Sequence, residues 1–393
     1  MTRALQVAHI DHTSEPGGAE LALARLAHAA ASDDSWRPLI VIPEDPDGAG
    51  AFTDSGDVRH VGPAQPAGAS TTNSMLSKAA LLGRALRQAI ALRRDPQVND
   101  CDIVYANSSR SAVYCILAFQ RRIPVVVHLR DIVSRDSLGS MGYALFTRFV
   151  LPRASGVVAN SHSTKTSAAE HIRVAAPLEV ISSPIGLNRA PAPQVNEVVR
   201  RVGMVARLDP WKGQDLLIQA FAAAFPSEDI TLHLYGGTAF GKEEYLVSLR
   251  KLCEDLGVGD RVSFHGHITD VRSAIDSLDI CVQSSTRPEP LGQNVLQYLA
   301  RGKPTVVSGE GGPIEWVRDG VNGMAFSPRD SADLADVLRR LAGDLSTRRH
   351  IAANALRTPG LPLDDEIVAA TRDLLMRVSR QASEPSDDRA LTA

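Results

Sequence analysis

Short apolar runs rich in valine and isoleucine alternate along this chain with longer segments of helical period, and that alternation leaves few folds open. Strands are expected at residues 6–10, 39–42, 103–106, 125–129, 157–159 and 179–181. Between them, residues 19–31, 76–94 and 111–121 place apolar side chains at i, i+3, i+4 and i+7, the spacing that lines one face of a helix. Strands that alternate with helices build parallel sheets covered on both faces. The unbroken run Val125-Val126-Val127 fits such a sheet, because a strand buried on both sides has no polar face.

The rhythm breaks at residues 183–198, SPIGLNRAPAPQVNEV, which hold three prolines and no clear period and are expected to link two domains. It then restarts, with strands expected at 201–207, 231–235, 262–265, 280–284 and 305–308 and helices at 214–225, 243–256, 271–277, 293–301 and 331–342. At 393 residues the chain is long enough for two domains. The expected fold class is α/β, with doubly wound halves at 1–182 and 199–363. An amphipathic helix at 364–380 is free to return to the first half, and a polar tail at 381–393 is expected to be disordered. Sheets of this kind bind ligands beyond the carboxyl ends of their strands, so two of them joined by a linker are expected to face a ligand cleft.

The bulk properties exclude several classes. A net charge of −3 argues against nucleic-acid binding by the whole chain. Cys101, Cys115, Cys253 and Cys281 are scattered beside apolar runs and read as reduced, buried thiols. His9, Asp11 and His12 interrupt the first apolar stretch, so no signal peptide is expected. No run approaches the ~18 apolar residues of a membrane span, and a cytoplasmic protein is the expectation. Phosphate-binding GxxxxGK[ST], HExxH, GxSxG and cysteine–histidine metal spacings are all missing, and no metal or cofactor is expected.

Polar residues gather where strands are expected to end. Val205-Ala206-Arg207-Leu208-Asp209-Pro210-Trp211-Lys212-Gly213 follows the first strand of the second half. It presents two cations suited to a diphosphate, with Arg207 and Lys212 merely facing solvent or Asp209 as the structural alternative. Ser284 to Gln297 runs from a strand through a turn set by Pro288 and Pro290 into a helix. Gly292 permits close backbone approach, and the helix start at Gln293 offers free N–H groups to an anion. Asn294 and Gln297, three apart, share a face and could address one ligand, while Val295, Leu296, Leu299 and Ala300 form a buried stripe. A plain capped helix is the alternative. Ser308-Gly309-Glu310-Gly311-Gly312-Pro313 is either a tight turn or a third place of close approach. In the first half, Gly17 and Gly18 join the first strand to the first helix, and His128, Arg130 and Asp131 lie toward the end of a strand.

Taken together, PGGAE (16–20), VVVHLRD (125–131), VVANSHST (157–164), ARLDPWKG (206–213), LYGGTAFGKEEY (234–245), VSFHGHITDV (262–271) and the stretch 287–323 resemble the retaining glycosyltransferases of the GT-B fold, in the large family of bacterial polysaccharide and glycolipid transferases. The resemblance implies two Rossmann-like domains facing a cleft. It implies a donor, UDP- or GDP-linked, whose diphosphate is held by Arg207 and Lys212 and whose sugar meets Glu289 and His128. Leu291, Gly292, Gln293 and Asn294 would bind sugar hydroxyls and phosphate. Gly17 and Gly18 would lie near the diphosphate, and Arg130 and Asp131 would serve the acceptor. Transfer would proceed with retention and without a metal ion. A sugar-nucleotide epimerase, a phosphorylase of the same fold and a non-catalytic nucleotide-sugar-binding subunit are the alternatives.

The sequence departs from the family pattern once. A glutamate is expected at position 297, to accept from both ribose hydroxyls, and the chain has Gln297. An amide accepts only through its oxygen, so a weakened nucleotide grip is expected. Residues 78–153 carry twelve Lys and Arg (Lys78 to Arg153) against five acids, a local charge of +7. Solvated helix faces account for this, or else peripheral attachment to an anionic membrane that carries a lipid-linked acceptor.

Overall fold

The computed structural model describes all residues except 1–3, 33–34, 46–47, 54, 66–74, 228, 239–242, 362 and 384–393, with the backbone alone at 75–79. Residues 384–393 of the expected tail, and Lys78 of the basic stretch as a side chain, therefore lie outside it. Two units emerge: residues 1–184 with 362–393, and residues 185–361.

In the first unit seven parallel strands pair in the order β3-β2-β1-β4-β5-β6-β7. They are β1 (Gln6–Ile10), β2 (Arg37–Ile42), β3 (Val58–His60), β4 (Ile103–Ala106), β5 (Val125–Leu129), β6 (Gly156–Ala159) and β7 (Leu178–Val180). Every residue of β4, β5 and β6 is buried, as a doubly covered sheet requires. One face (Val7, Ile103, Val126, Val158) packs on Leu26 and Ala30 of the Gly18–Ser32 helix and on Leu374, Leu375 and Val378 of the Asp364–Ser383 helix. At Gly156 an added Cβ would fall 2.8 Å from Val378 Cγ2, so the glycine lets that helix sit flush. The other face (Ala8, Val104, Val125, Val127) packs on the Ser109–Phe119 helix, whose first turn is closed by a capping box between Ser108 and Ser111.

In the second unit the order β10-β9-β8-β11-β12-β13 is likewise parallel. The strands are β8 (Arg201–Val205), β9 (Thr231–Tyr235), β10 (Val262–Gly266), β11 (Ile280–Gln283), β12 (Thr305–Ser308) and β13 (Met324–Phe326). In each sheet the strand order reverses beside the first strand, between β1 and β4 and between β8 and β11. That is where a crevice opens at the strands' carboxyl ends.

All four cysteines are buried, and none is in a disulfide. The expected linker, 183–198, lies mostly within the second unit. From Ile185 onward it is bound to the second unit by arginines that capture its carbonyls. Arg301 donates to Asn188 O, and Arg348 to Asn196 O and Glu197 O, while Asn196 donates to Asp279. Residues 381–383 of the expected tail finish the last helix. Two edge strands, β3 and β13, were not expected. Neither holds a Val- or Ile-rich run: β3 is Val58, Arg59 and His60, and β13 is Met324, Ala325 and Phe326.

Candidate functional site

The reversal between β8 and β11 gathers the second unit's polar residues. Beyond β8 the chain turns at Pro210–Lys212 and passes through Gly213 at φ 72°. A Cβ there would lie 2.0 Å from Ser284 O, so this turn accepts only glycine. The turn delivers Lys212 to Glu289. Nζ donates to both carboxylate oxygens at 2.8 Å, and Ser285 Oγ donates to Oε2 at 2.8 Å. Lys212 also stands 4.0 Å from the Trp211 ring centroid, a cation–π contact. The pair is largely withdrawn from water, with side-chain exposures of 17% and 9%. Arg207 lies beside buried Asp209, 3.5 Å away, and Gln214 fixes its carbonyl at 2.9 Å. Of the solvent-or-Asp209 alternative raised from sequence, the Asp209 contact holds for Arg207 and not for Lys212.

Glu289 is held from behind. Gly312 N donates to its carbonyl at 2.7 Å, and Gly311, at φ 75°, has no room for a Cβ, which would fall 2.5 Å from that same oxygen. The glycines of the third motif therefore admit the chain's own backbone. Gly292 adopts φ 79° at the start of the Gln293–Ala300 helix, whose first-turn N–H groups carry the positive end of the helix dipole. This helix is buried through Val295, Leu296, Gln297, Tyr298, Leu299 and Ala300, more than the expected stripe, and Leu291 before it is buried too.

The convergence of Asn294 and Gln297 on one point is not what the structure gives. Asn294 Nδ2 donates to Val205 O at 3.2 Å, and Gln297 Nε2 to Ile185 O at 3.1 Å. Both amides hold backbone that the linear sequence does not place beside the helix.

In the first unit, Gly18 starts the Gly18–Ser32 helix with nothing within 4 Å of where a Cβ would be, whereas at Gly17 a Cβ would meet Glu20 Oε2 at 2.3 Å. Arg130, expected at the acceptor, is instead a buried cross-link. Nε and Nη2 donate to Asn107 Oδ1 and Nη1 to Ser183 Oγ, while Asn107 donates in turn to Asp11. Burial lowers its pKa, and the nearby Tyr105, Asp11, Glu20 and Asp131 oppose that shift. Asp131 is exposed. Asp11, His12 and Glu20 bring one potential ligand atom each within 4.8 Å of one another, but Asp11 already accepts from the His12 backbone N–H and from Asn107.

His128 ends a row of rings on one sheet face. Trp36 Nε1 donates to His9 Nε2 at 3.0 Å, the His9 and Tyr105 rings lie 5.0 Å apart, and Tyr105 Oη is 2.6 Å from His128 Nδ1. Burial lowers both imidazole pKa values, His9 to about 3, and burial raises that of Tyr105. His128 Nε2 is buried without a hydrogen-bond partner among the described residues. Leaving such a group unpaired costs about 1–3 kcal/mol. Tyr105, His9 and Ser285 were not singled out from sequence. Asp11 and Asn107, each directly after a strand, carried the positional signal that would have found them.

Two family models divide the chain. Glycosyltransferase Family 4 matches residues 16–189 and Glycosyl transferases group 1 matches residues 191–358. The crystal structure of Anabaena HepE in complex with UDP-glucose has a TM-score of 0.73 and 27% identity, covering 96% of this chain and 98% of that one. A lipopolysaccharide core biosynthesis glycosyltransferase, LpsE of Rhizobium meliloti, is 36% identical over 118 residues, 30% of this chain and 34% of that protein. A D-inositol 3-phosphate glycosyltransferase of Thermomonospora curvata is 31% identical over 188 residues, 44% and 43% of the two. The chain thus spans about a third to two fifths of the length of these curated relatives in the regions it matches. The fold is GT-B, two Rossmann-like units in one chain. The chain belongs to the group 1, family 4 glycosyltransferases.

Proposed function

We propose that this chain transfers a sugar with retention from a nucleoside-diphosphate sugar, UDP- or GDP-linked, to a hydroxyl of a glycan, glycolipid or small-molecule acceptor. The observation that carries this is the Lys212–Glu289–Ser285 cluster at the β8–β11 reversal, with Arg207 on the loop that delivers Lys212. The donor diphosphate takes Arg207 and Lys212, and the sugar hydroxyls take Glu289 and the backbone from Leu291 to Asn294. As the bond between the anomeric carbon and the phosphate oxygen breaks, negative charge grows on the leaving diphosphate. Two fixed cations in a partly dry site stabilise that charge without a metal ion. The acceptor oxygen bonds to the anomeric carbon from the same face, and its proton passes to the leaving phosphate. Glu289, with both oxygens already hydrogen-bonded, serves as an acceptor for hydroxyls. UDP-glucose is the first donor to test, since HepE was crystallised with it. Release of nucleoside diphosphate dependent on acceptor, with the product anomer matching the donor, supports the reading. Epimerised donor, phosphate-dependent cleavage or binding without turnover each points to one of the alternatives.

Peripheral attachment to anionic membrane is a second part of the proposal. The Met75–Arg94 helix exposes Leu82, Leu86 and Ile90, spaced i, i+4 and i+8, with Arg84, Arg87, Arg93 and Arg94 exposed among them. Apolar side chains framed by arginines suit the boundary between lipid headgroups and acyl chains. No helix among the described residues is long and apolar enough to cross a membrane.

A further inference from the structure

We propose that Tyr105 is a positioning residue that holds His128 in one tautomer, with its proton on Nε2, so that His128 offers a neutral hydrogen-bond donor to an oxygen of the transferred sugar. The identity of that oxygen as a sugar's rests on the transferase assignment above; the tautomer does not.

The argument runs along the row of rings. His9 Nε2 accepts the Trp36 indole N–H, which only donates, so the neutral His9 ring carries its proton on Nδ1. His9 is then unable to accept through Nδ1. Tyr105 is fully buried, and its hydroxyl has one hydrogen-bond partner among the described residues, His128 Nδ1. A buried hydroxyl that did not donate there would leave its own hydrogen unpaired. Tyr105 therefore donates, Nδ1 is the acceptor, and the proton of the neutral His128 ring sits on Nε2. That nitrogen, like His9 Nδ1, is buried without a partner among the described residues. Strand register builds the arrangement: His9 pairs with Tyr105 across β1 and β4, and His128 follows two residues after Val126, the partner of Tyr105 on β5. Side chains two apart on a strand share a face.

The imidazole so held is a donor and neither a base nor an acid. Long-range proton–nitrogen correlation on uniformly labelled protein without substrate reads the tautomer directly, the His128 signals being assigned by their loss in His128→Gln. Wild type is expected to show a protonated Nε2 and an unprotonated Nδ1 at His128. Tyr105→Phe is expected to shift both nitrogens toward intermediate values and to lower kcat between about 10- and 100-fold, by analogy with groups that orient metal-ligating imidazoles. Gln places its amide near Nε2 and Asn near Nδ1, so His128→Gln is expected to retain more activity than His128→Asn. An unprotonated Nε2 in wild type, unchanged signals in Tyr105→Phe, or equal loss in the Gln and Asn variants overturns the proposal. If wild type shows the expected tautomer but transfers no sugar to any acceptor, the transferase assignment fails and the tautomer stands.

Discussion

Lys212 and Glu289, 77 positions apart, form a two-pronged ion pair, with the ammonium 2.8 Å from each carboxylate oxygen. The cation assigned to the donor diphosphate and the carboxylate assigned to its sugar are therefore one unit in this structure, fixed by the Gly213 turn on one side and by Ser285 on the other. Removing one partner of a buried pair leaves the other uncompensated, at about 3–5 kcal/mol, and partial exposure of Lys212 brings the expectation somewhat below that range. Lys212→Met should lower stability by about 2–3 kcal/mol in urea unfolding, and Lys212→Met with Glu289→Leu should recover part of that loss.

Two glycines separate architecture from ligand approach. Gly213→Ala has to relieve a 2.0 Å clash with Ser284 O at a left-handed backbone, and is expected to cost upward of about 1–3 kcal/mol of stability. Gly18→Ala meets open space. It should leave thermal unfolding unchanged or slightly raised while lowering turnover, since the proposed donor diphosphate is expected near this loop.

Most of the fold was legible because Val- and Ile-rich runs mark covered strands wherever they are long enough. β3 and β13, three residues each, carry no such signal. At the site, the residue types of Arg207, Lys212 and Glu289 were legible, and their positions at strand ends were too. The Lys212–Glu289 pairing was not, since nothing local joins residues in different motifs. The cross-link made by Arg130 was hidden for the same reason: its partners Asn107 and Ser183 sit on other strand ends. That residues 185–198 are tied to the second unit was not legible, because proline content does not reveal the arginines that capture their carbonyls.

Gln297 is held to Ile185 O, and the family resemblance also sets it at the donor ribose. Gln297→Glu loses the donation to Ile185 O and sets a carboxylate against that carbonyl, so the unliganded protein should unfold at lower temperature. Its stabilisation by bound nucleotide should grow, since a charged acceptor for ribose hydroxyls is worth about 1.4 kcal/mol more, or tenfold in affinity. Differential scanning fluorimetry with and without nucleotide reads both effects.

Buried neutral histidine makes stability depend on pH with a defined sign. The folded pKa of His9 is about 3, against ~6.5 in the unfolded chain. The unfolded chain thus binds a proton that the folded chain refuses. The contribution is complete above pH ~6.5 and is lost as pH falls toward the folded value, at up to ~1.4 kcal/mol per pH unit. His128, shifted in the same direction, adds to it. Unfolding free energies between pH 7 and 4 should fall less steeply for His9→Gln than for wild type.

The helix bearing Leu82, Leu86 and Ile90 is the place to test membrane attachment. Replacing all three by Gln should abolish co-sedimentation with anionic vesicles and leave the melting temperature within a degree or two, since exposed side chains contribute little to folding.

Titration calorimetry of the unliganded protein with UDP, GDP and their sugar conjugates tests the donor site most directly. Wild type should bind one of these nucleotides, and Arg207→Ala and Lys212→Ala should each weaken that binding about 10- to 150-fold, the worth of one charge-assisted hydrogen bond. Binding of equal strength in wild type and both variants, or no binding of any of the nucleotides by wild type, would contradict a donor site built on these two cations.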